Sequence, residues 1–251
     1  MSEITLGWIV FACAFGGVLL GMVLRAALPE HHLSTDSKDV VKLGMGLLAT
    51  MAALVLSLLI ASAKSSYDTQ RSELTQLSSN VILLDRVMAH YGPETKDARD
   101  LLRHTVARVL ERMWSKDGSR PAPLEPAAAG EKRLYDKIQS LSPRNDAQRS
   151  LRAEALRIST ELGRTRWLLF EEAGGTIPVP FLVMLIFWVA VIFISYGLFA
   201  PPNATVIATL FVCALSVSGA IFLILELDRP FAGLIQLSSA PLRSALANLG
   251  Q

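Results

Sequence analysis

Four long apolar runs interrupt an otherwise polar chain, and each is long enough to cross a membrane as a helix. A transmembrane helix needs about 20 apolar residues to span a hydrocarbon core of about 30 Å. The runs cover residues 6–24, 43–63, 181–200 and 206–225. The connector between the last two is so short that they are predicted to form an antiparallel hairpin. The pattern therefore predicts an integral membrane protein with four transmembrane helices.

Between the second and third runs the chain is strongly charged, and its apolar residues recur three and four positions apart. This spacing places them on one face of a helix, as in helices that pair in coiled coils. No strand-like alternation of useful length occurs along the sequence. The fold class is therefore predicted to be all-α, with a coiled-coil-like helical insert between the second and third spans. The apolar seam of the first insert helix consists of Leu74, Leu77, Val81, Leu84 and Met88.

Turn-forming residues divide the insert. Gly92 and Pro93 are predicted to end the first helix, because glycine suits the end of a helix and proline the start of the next. Residues 115–130 are rich in Pro, Gly and Ala, which predicts a loop. Further helices are predicted over 131–141 and 144–172, and a short amphipathic one over 241–249, docked on protein or lying on the membrane surface. The predicted domains are 1–63 (first two transmembrane helices), 64–176 (helical insert), 177–227 (transmembrane hairpin) and 228–251 (C-terminal segment).

Small residues recur along the second apolar run. Ala49, Ala53, Ser57 and Ala61 are four positions apart, so one helical face has little bulk. Such a face either packs closely against another helix or lines a path for water and ions. In the first run, the spacing Gly17-xxx-Gly21 also predicts a close helix contact.

Composition and charge support a membrane protein and exclude several other classes. Hydrophobic residues make up 51% of the chain, charged residues 18%, and the mean hydropathy is +0.40. The net charge of +2 is too small to indicate a nucleic-acid partner. Cys13 and Cys213 both fall inside apolar runs, so a disulfide framework is not expected.

No catalytic or metal-binding motif accompanies the polar residues of the insert. Asp85, Arg86, His90 and His104 are the obvious candidates for catalysis, but no phosphate-binding loop, nucleophile elbow or Cys/His cluster occurs with them. The adjacent pair His31–His32 lacks a third ligand at a defined spacing. We therefore predict that the protein is not an enzyme and needs no cofactor or metal.

Basic residues near the apolar runs predict the orientation. Four spans place both chain termini and the insert on one side of the membrane, and that side has more Lys and Arg close to the spans. By the positive-inside rule, the termini and the insert are predicted to be cytoplasmic. Without an organellar targeting segment, a bacterial inner membrane is the simplest compartment. The basic residues on the predicted cytoplasmic side are Lys64, Arg71, Arg164, Arg166, Arg229 and Arg243, against Arg25, Lys38 and Lys42 on the other.

Five long segments are distinctive, namely KLGMGLLATMAALVLSLLIASAKSSYD, LLDRVMAHYGPE, IPVPFLVMLIFW, LFAPPNATVI and ILELDRPFAGLIQLSSAPLRSAL. Together they resemble the bacterial bestrophin-like proteins, and the resemblance covers nearly the whole chain except the loop around residues 115–130. It extends to true bestrophins through the four-span layout and through residues 226–233, which are similar to the acid-rich Pro-Phe-Gly segment after the last bestrophin span.

Bestrophins are pentameric ion channels whose second span lines a long pore with a hydrophobic neck. The resemblance implies a self-associating protein of the lipid bilayer, expected to be a pentamer, that conducts small inorganic ions passively. Its implied pore-lining residues are Ala49, Ala53, Ser57, Ile60 and Ala61, and candidates for the pore mouth or for ion contact are Lys64, Glu226 and Asp228.

The sequence departs from the bestrophin pattern in two places. Alanine and serine replace the bulky aromatic residues expected at the neck. Ala232 stands where the pattern has glycine, and Leu234, Ile235 and Gln236 replace the run of acids that holds calcium in animal bestrophins. The resemblance therefore does not extend to a calcium site.

A membrane-anchored scaffold or signalling protein is the alternative. In that interpretation the insert helices bind a partner, and the small face of the second span only packs against another helix, which is the commoner role of such faces. Ion currents through the purified protein would distinguish the two functions.

Overall fold

The structure is a computed structural model that describes residues 3–29, 35–114, 125–172, 177, 179–201, 203–231 and 233–250. His31, His32 and Ala232 lie outside the described residues. Within those ranges the chain forms helices and turns and contains no strand, so the all-α prediction is confirmed. The helices are α1 (Glu3–Ala27), α2 (Thr35–Tyr91), α3 (Lys96–Met113), α4 (Glu125–Gln139), α5 (Asp146–Glu172), α6 (Val179–Phe199), α7 (Ala204–Leu227) and α8 (Ala240–Asn248).

Four of these helices are long and apolar enough to cross a membrane, namely α1, α2, α6 and α7. They contain the four predicted runs, except that α6 ends at Phe199, one residue before the end of the run 181–200. The hairpin of α6 and α7 turns at Asn203, whose side-chain oxygen accepts a hydrogen bond of 2.9 Å from the Val206 amide and caps α7. The prediction of four spans is confirmed.

Two helices, α2 and α4, extend beyond the sequence patterns, whereas the predicted end of α4, start of α5 and bounds of α8 differ from the structure by one or two residues. The apolar run 43–63 and the amphipathic seam after it belong to one helix of 57 residues, because no glycine or proline separates them. The loop predicted over 115–130 lies outside the described residues from 115 to 124, and it is wrong in its last part, since α4 begins at Glu125. Pro126 lies in the first turn, where its missing N–H has no intrahelical partner, and the alanines that follow favour a helix.

The chain divides into two compact units. Unit 1 comprises residues 1–65 and 176–228, and unit 2 comprises residues 66–175 and 229–251. In unit 1, α1 packs against both α6 and α7. The Ser218 hydroxyl of α7 donates a hydrogen bond of 2.6 Å to the Gly7 carbonyl of α1, and Arg25 donates to the Ala200 carbonyl after α6. These bonds connect α1 to both helices of the hairpin.

Glycines allow α1 and α6 to approach closely. A Cβ at Gly21 would overlap the Ile194 carbonyl oxygen, and one at Gly197 would overlap the Val18 carbonyl oxygen. At Gly17 a Cβ would lie 3.2 Å from the Ala190 carbonyl oxygen. The predicted contact at Gly17-xxx-Gly21 is therefore confirmed, with α6 as its partner.

Unit 2 encloses the apolar seam of α2. Leu74, Leu84 and Met88 are fully buried in a core shared with α3, α4, α5 and α8. Leu242 and Ala245 of α8 are also fully buried there, so this helix docks on protein. Glu131 of α4 forms an ion pair with Arg166 of α5. Burial raises the pKa of Glu131 above its ordinary value, although the charge of Arg166 opposes the shift.

Candidate functional site

The membrane part of α2 contributes only a narrow seam to the core of its own unit. Met45, Ala52, Leu59 and Ala63 are buried against the other helices of unit 1. Among the four spans, α2 is the least buried, since 17% of the residues in its most apolar 18-residue stretch are buried, compared with 33% in α1. Most side chains of this stretch are therefore accessible, in the single chain, to lipid, to a second copy or to water.

The predicted pore-lining residues lie beside this seam. Ala53, Ser57, Ile60 and Ala61 are exposed in the single chain, whereas Ala49 is partly buried against the core of unit 1. Because each residue of a helix is rotated by about 100° from the last, a four-residue step overshoots a full turn by about 40°. The stripe of four-residue steps therefore winds from the buried side at Ala49 to the open side at Ala61.

Two further residues belong to the open small face, and the four-residue spacing alone does not reveal them. Gly46 and Thr50 precede Ala53 and Ser57 at steps of four, three and four residues, which keeps all four on one face. Thr50 is exposed, and a Cβ on Gly46 would meet no atom within 4 Å. The signal that could have found them is the alternation of three- and four-residue steps, which follows a helix face better than four-residue steps alone.

Both hydroxyls on this face are bonded to the helix backbone. Thr50 Oγ1 donates to the Gly46 carbonyl and Ser57 Oγ donates to the Ala53 carbonyl, each at 2.8 Å. The donor of each hydroxyl is therefore satisfied within the helix, and its oxygen can still accept a hydrogen bond from outside. The face is narrow, uncharged and weakly polar.

A bulky apolar face adjoins the small one. Leu43, Leu47, Leu54 and Leu58 are between 63% and 78% exposed in the single chain. Such side chains suit lipid or the helix of another copy better than water. The exposed surface of α2 thus combines a small, weakly polar face with a bulky apolar face.

The three predicted ion-contact residues differ in exposure. Lys64, at the end of the apolar run, is exposed. Glu226 is 2% exposed near the end of α7, and Asp228 is half-buried just beyond that helix. The Asp228 amide donates a hydrogen bond of 3.1 Å to the Ile224 carbonyl and so belongs to the helix end. Of these three residues, Lys64 is the most exposed to solvent in the single chain.

A family model for the Bestrophin-like domain matches residues 12–242, which is most of the chain. The chain belongs to the Bestrophin-like family. Known members of this family are ion channels and not enzymes. The bestrophin-like chain is accordingly a membrane protein, and the family resemblance predicted from its sequence is confirmed.

Solved structures of bacterial bestrophins share the fold. Two crystal structures, each of a variant of a bacterial bestrophin homolog from Klebsiella pneumoniae, match with TM-scores of 0.68 and 0.67. The first is 14% identical and covers 99% of this chain and 97% of that chain. The second is 15% identical, with coverages of 96% and 99%. At this identity the likeness shows the fold alone. No curated protein matches the chain.

Proposed function

We propose that this bestrophin-like protein is an oligomeric channel that conducts small ions passively, with the membrane part of α2 lining the pore. The observation that carries the proposal is the small, hydroxyl-bearing face of α2, which the protein's own helices leave uncovered. Lipid tails gain little van der Waals energy from such a face, because the face offers few carbon atoms for contact. Water suits this face better than lipid does, because the hydroxyl oxygens of Thr50 and Ser57 can accept hydrogen bonds from it.

Several copies are needed to enclose a water path. One chain has four spans with few polar groups inside the membrane, and these cannot surround a pore by themselves. In a ring of copies, the small faces of α2 would meet around the axis, and the leucine face beside them would meet the neighbouring copy. Bestrophin homologues are pentamers, which makes a pentamer the expected assembly here.

The proposed conduction mechanism is wetting of a narrow apolar constriction. Ala53, Ser57 and Ile60 would form it, and the constriction conducts when water fills it. Lys64 would raise the local concentration of anions, whereas Glu226 and Asp228 would act in favour of cations. Reversal potentials in a salt gradient would report which of these charges dominates.

The alternative function as a scaffold depended on a helical seam available to a partner. Leu74, Leu84 and Met88, the centre of that seam, are buried within unit 2. A seam that already packs inside the chain is not a free docking surface. This observation favours the channel over the scaffold.

The purified protein in planar bilayers is expected to carry ion currents, and Ser57→Leu is expected to lower the conductance by at least about tenfold. The larger apolar side chain narrows the constriction, removes a hydroxyl and makes wetting less favourable. The measurement is single-channel conductance in symmetric salt at several voltages.

Ser216→Leu is the matched control. Ser216 is exposed on α7, and its hydroxyl makes the same kind of backbone bond, 2.8 Å to the Val212 carbonyl. Its replacement is expected to leave the conductance unchanged. Silence of the unmodified protein in several salts, with a stable oligomer present, would exclude the channel. Equal losses of conductance in both variants would contradict the proposal that α2 lines the pore.

A further inference from the structure

Unit 2 contains a polar cleft that the proposed pore does not use. Its volume is about 360 Å³, which lies within the usual range for small-molecule sites. The cleft is formed where α2 ends, where α3 begins and where the chain leaves α8. Its lining includes Gly92, Lys96, Arg99, Arg103 and Gly250.

A buried carboxylate holds the central cation of the cleft in place. Asp85 of α2, with a side chain only 5% exposed, accepts bonds of 2.7 Å and 2.8 Å from Nε and Nη2 of Arg99. It also accepts a bond of 3.2 Å from the Gly250 amide. This pairing fixes the guanidinium plane and leaves its remaining N–H groups for another acceptor. Arg99 is therefore preorganised at the wall of the cleft.

Two more cations flank Arg99 along α3. Lys96 is three residues before it and Arg103 four residues after it, which places all three on one helix face. Neither Lys96 nor Arg103 forms an ion pair with a residue in the described part of the chain. Lys96 is also the first residue of α3, where a cation faces the positive end of the helix dipole. Asp97 in the first turn of α3 offsets part of this positive charge, and an anion in the cleft would offset more of it.

The charges of the cleft leave room for an anion. Asp100 also lines it and opposes a negative ligand, while Asp85 is already neutralised by Arg99. Three cationic side chains therefore face two anionic ones. An anionic ligand gains from this arrangement, because Lys96, Arg99 and Arg103 all line the cleft and offer it charged N–H donors.

We propose that this cleft binds a small anion that carries phosphate groups. Guanidinium groups bind phosphate oxygens through paired N–H donors, and lysine adds a mobile point charge. The bound phosphate would contact Arg99 at the centre and Lys96 and Arg103 at the sides. The site is independent of the proposed pore, so either proposal can fail without the other.

Pyrophosphate is the probe, and its binding to the full-length protein in detergent is measured by calorimetry at low salt. We expect saturable binding that orthophosphate weakens by competition. The double variant Lys96→Gln, Arg103→Gln is expected to lose about tenfold or more in affinity, because it removes two charged donors. Its thermal unfolding should match that of the unmodified protein, since neither side chain forms an ion pair within the described residues.

The matched control is Lys132→Gln, Arg133→Gln, which removes the same charge from two exposed residues of α4. It is expected to bind pyrophosphate normally. The absence of saturable binding to the unmodified protein, or equal losses in the two double variants, would overturn the site.

The proposed phosphate belongs either to a soluble molecule or to a lipid headgroup. Repeating the titration in vesicles with increasing phosphatidylglycerol separates these sources. Loss of pyrophosphate binding as the anionic lipid increases would support the site with a headgroup as its ligand. Unchanged binding would support the site with a soluble ligand.

Discussion

Asp85→Ala is expected to lower the free energy of unfolding of unit 2 by about 3 kcal/mol. The substitution leaves Arg99 without its carboxylate and removes the acceptor of the Gly250 amide. Removing one partner of a buried ion pair costs about 3–5 kcal/mol. The lower end applies here because the Arg99 side chain is 23% exposed and can reach water. Denaturant unfolding in detergent, followed by circular dichroism, measures the loss.

The effect of Asp85→Ala is also expected to depend on pH. Burial raises the pKa of the Asp85 carboxyl, but bonds from Arg99 and Gly250 and the charge of Arg99 outweigh it, so the pKa lies below 3.8. A lowered pKa means that the ionised carboxylate stabilises the folded state at pH values above 3.8. This contribution is lost as the pH falls through the folded-state pKa. The difference between the variant and the unmodified protein should shrink in that window.

Asp97→Asn is the control for this prediction. Asp97 is exposed and contacts Lys137 at 3.4 Å, so its removal should cost less than about 1 kcal/mol. A loss from Asp97→Asn as large as that from Asp85→Ala would show that burial of the Asp85–Arg99 pair is not the cause. A pH-independent effect of Asp85→Ala would contradict the assigned charge state.

Gly21→Ala is expected to destabilise the packing of α1 on α6 by about 3 kcal/mol. The added Cβ would overlap the Ile194 carbonyl oxygen and lie 2.8 Å from the Leu198 nitrogen. Overpacking of a core typically costs about 1–3 kcal/mol, and the upper end applies because backbone atoms cannot rotate away. The yield of folded oligomer and its midpoint of thermal unfolding in detergent measure the effect.

Gly16→Ala provides the comparison on the same helix. A Cβ at Gly16 would meet no atom within 4 Å, so the substitution adds a methyl group without a clash. Alanine also favours a helix more than glycine does, and the variant should be at least as stable as the unmodified protein. If both variants were equally stable, the close approach at Gly21 would be refuted.

Much of the fold follows from the sequence because local patterns have local causes. The seam from Leu74 to Met88 was predicted from its three- and four-residue spacing and is buried. Gly92 and Pro93 were predicted to end the first insert helix, and α2 ends at Tyr91. Gly92 has a φ of 133°, a conformation that side chains with a Cβ rarely adopt. Each of these features depends on residues that are neighbours in sequence.

Contacts between distant residues were not predictable in the same way. The pairing of Asp85 with Arg99 and Gly250 joins three separate parts of the chain. In the sequence, Asp85 was a candidate for catalysis, and nothing in the spacing showed its partners. A charged residue on a helix has many neighbours of opposite charge within reach, and the packing of α2, α3 and the segment after α8 selects one.

The sequence by itself determined the four spans, the helical insert, the family and the small face of the second span. Only the tertiary structure decided which side of α2 is covered. The helical period shows that Ala53 and Ser57 share a face, but it cannot show what that face meets, because this depends on where the other spans cross. In unit 1 those helices cover Met45, Ala52 and Leu59 and leave Ala53 and Ser57 open. The proposed pore rests on that asymmetry.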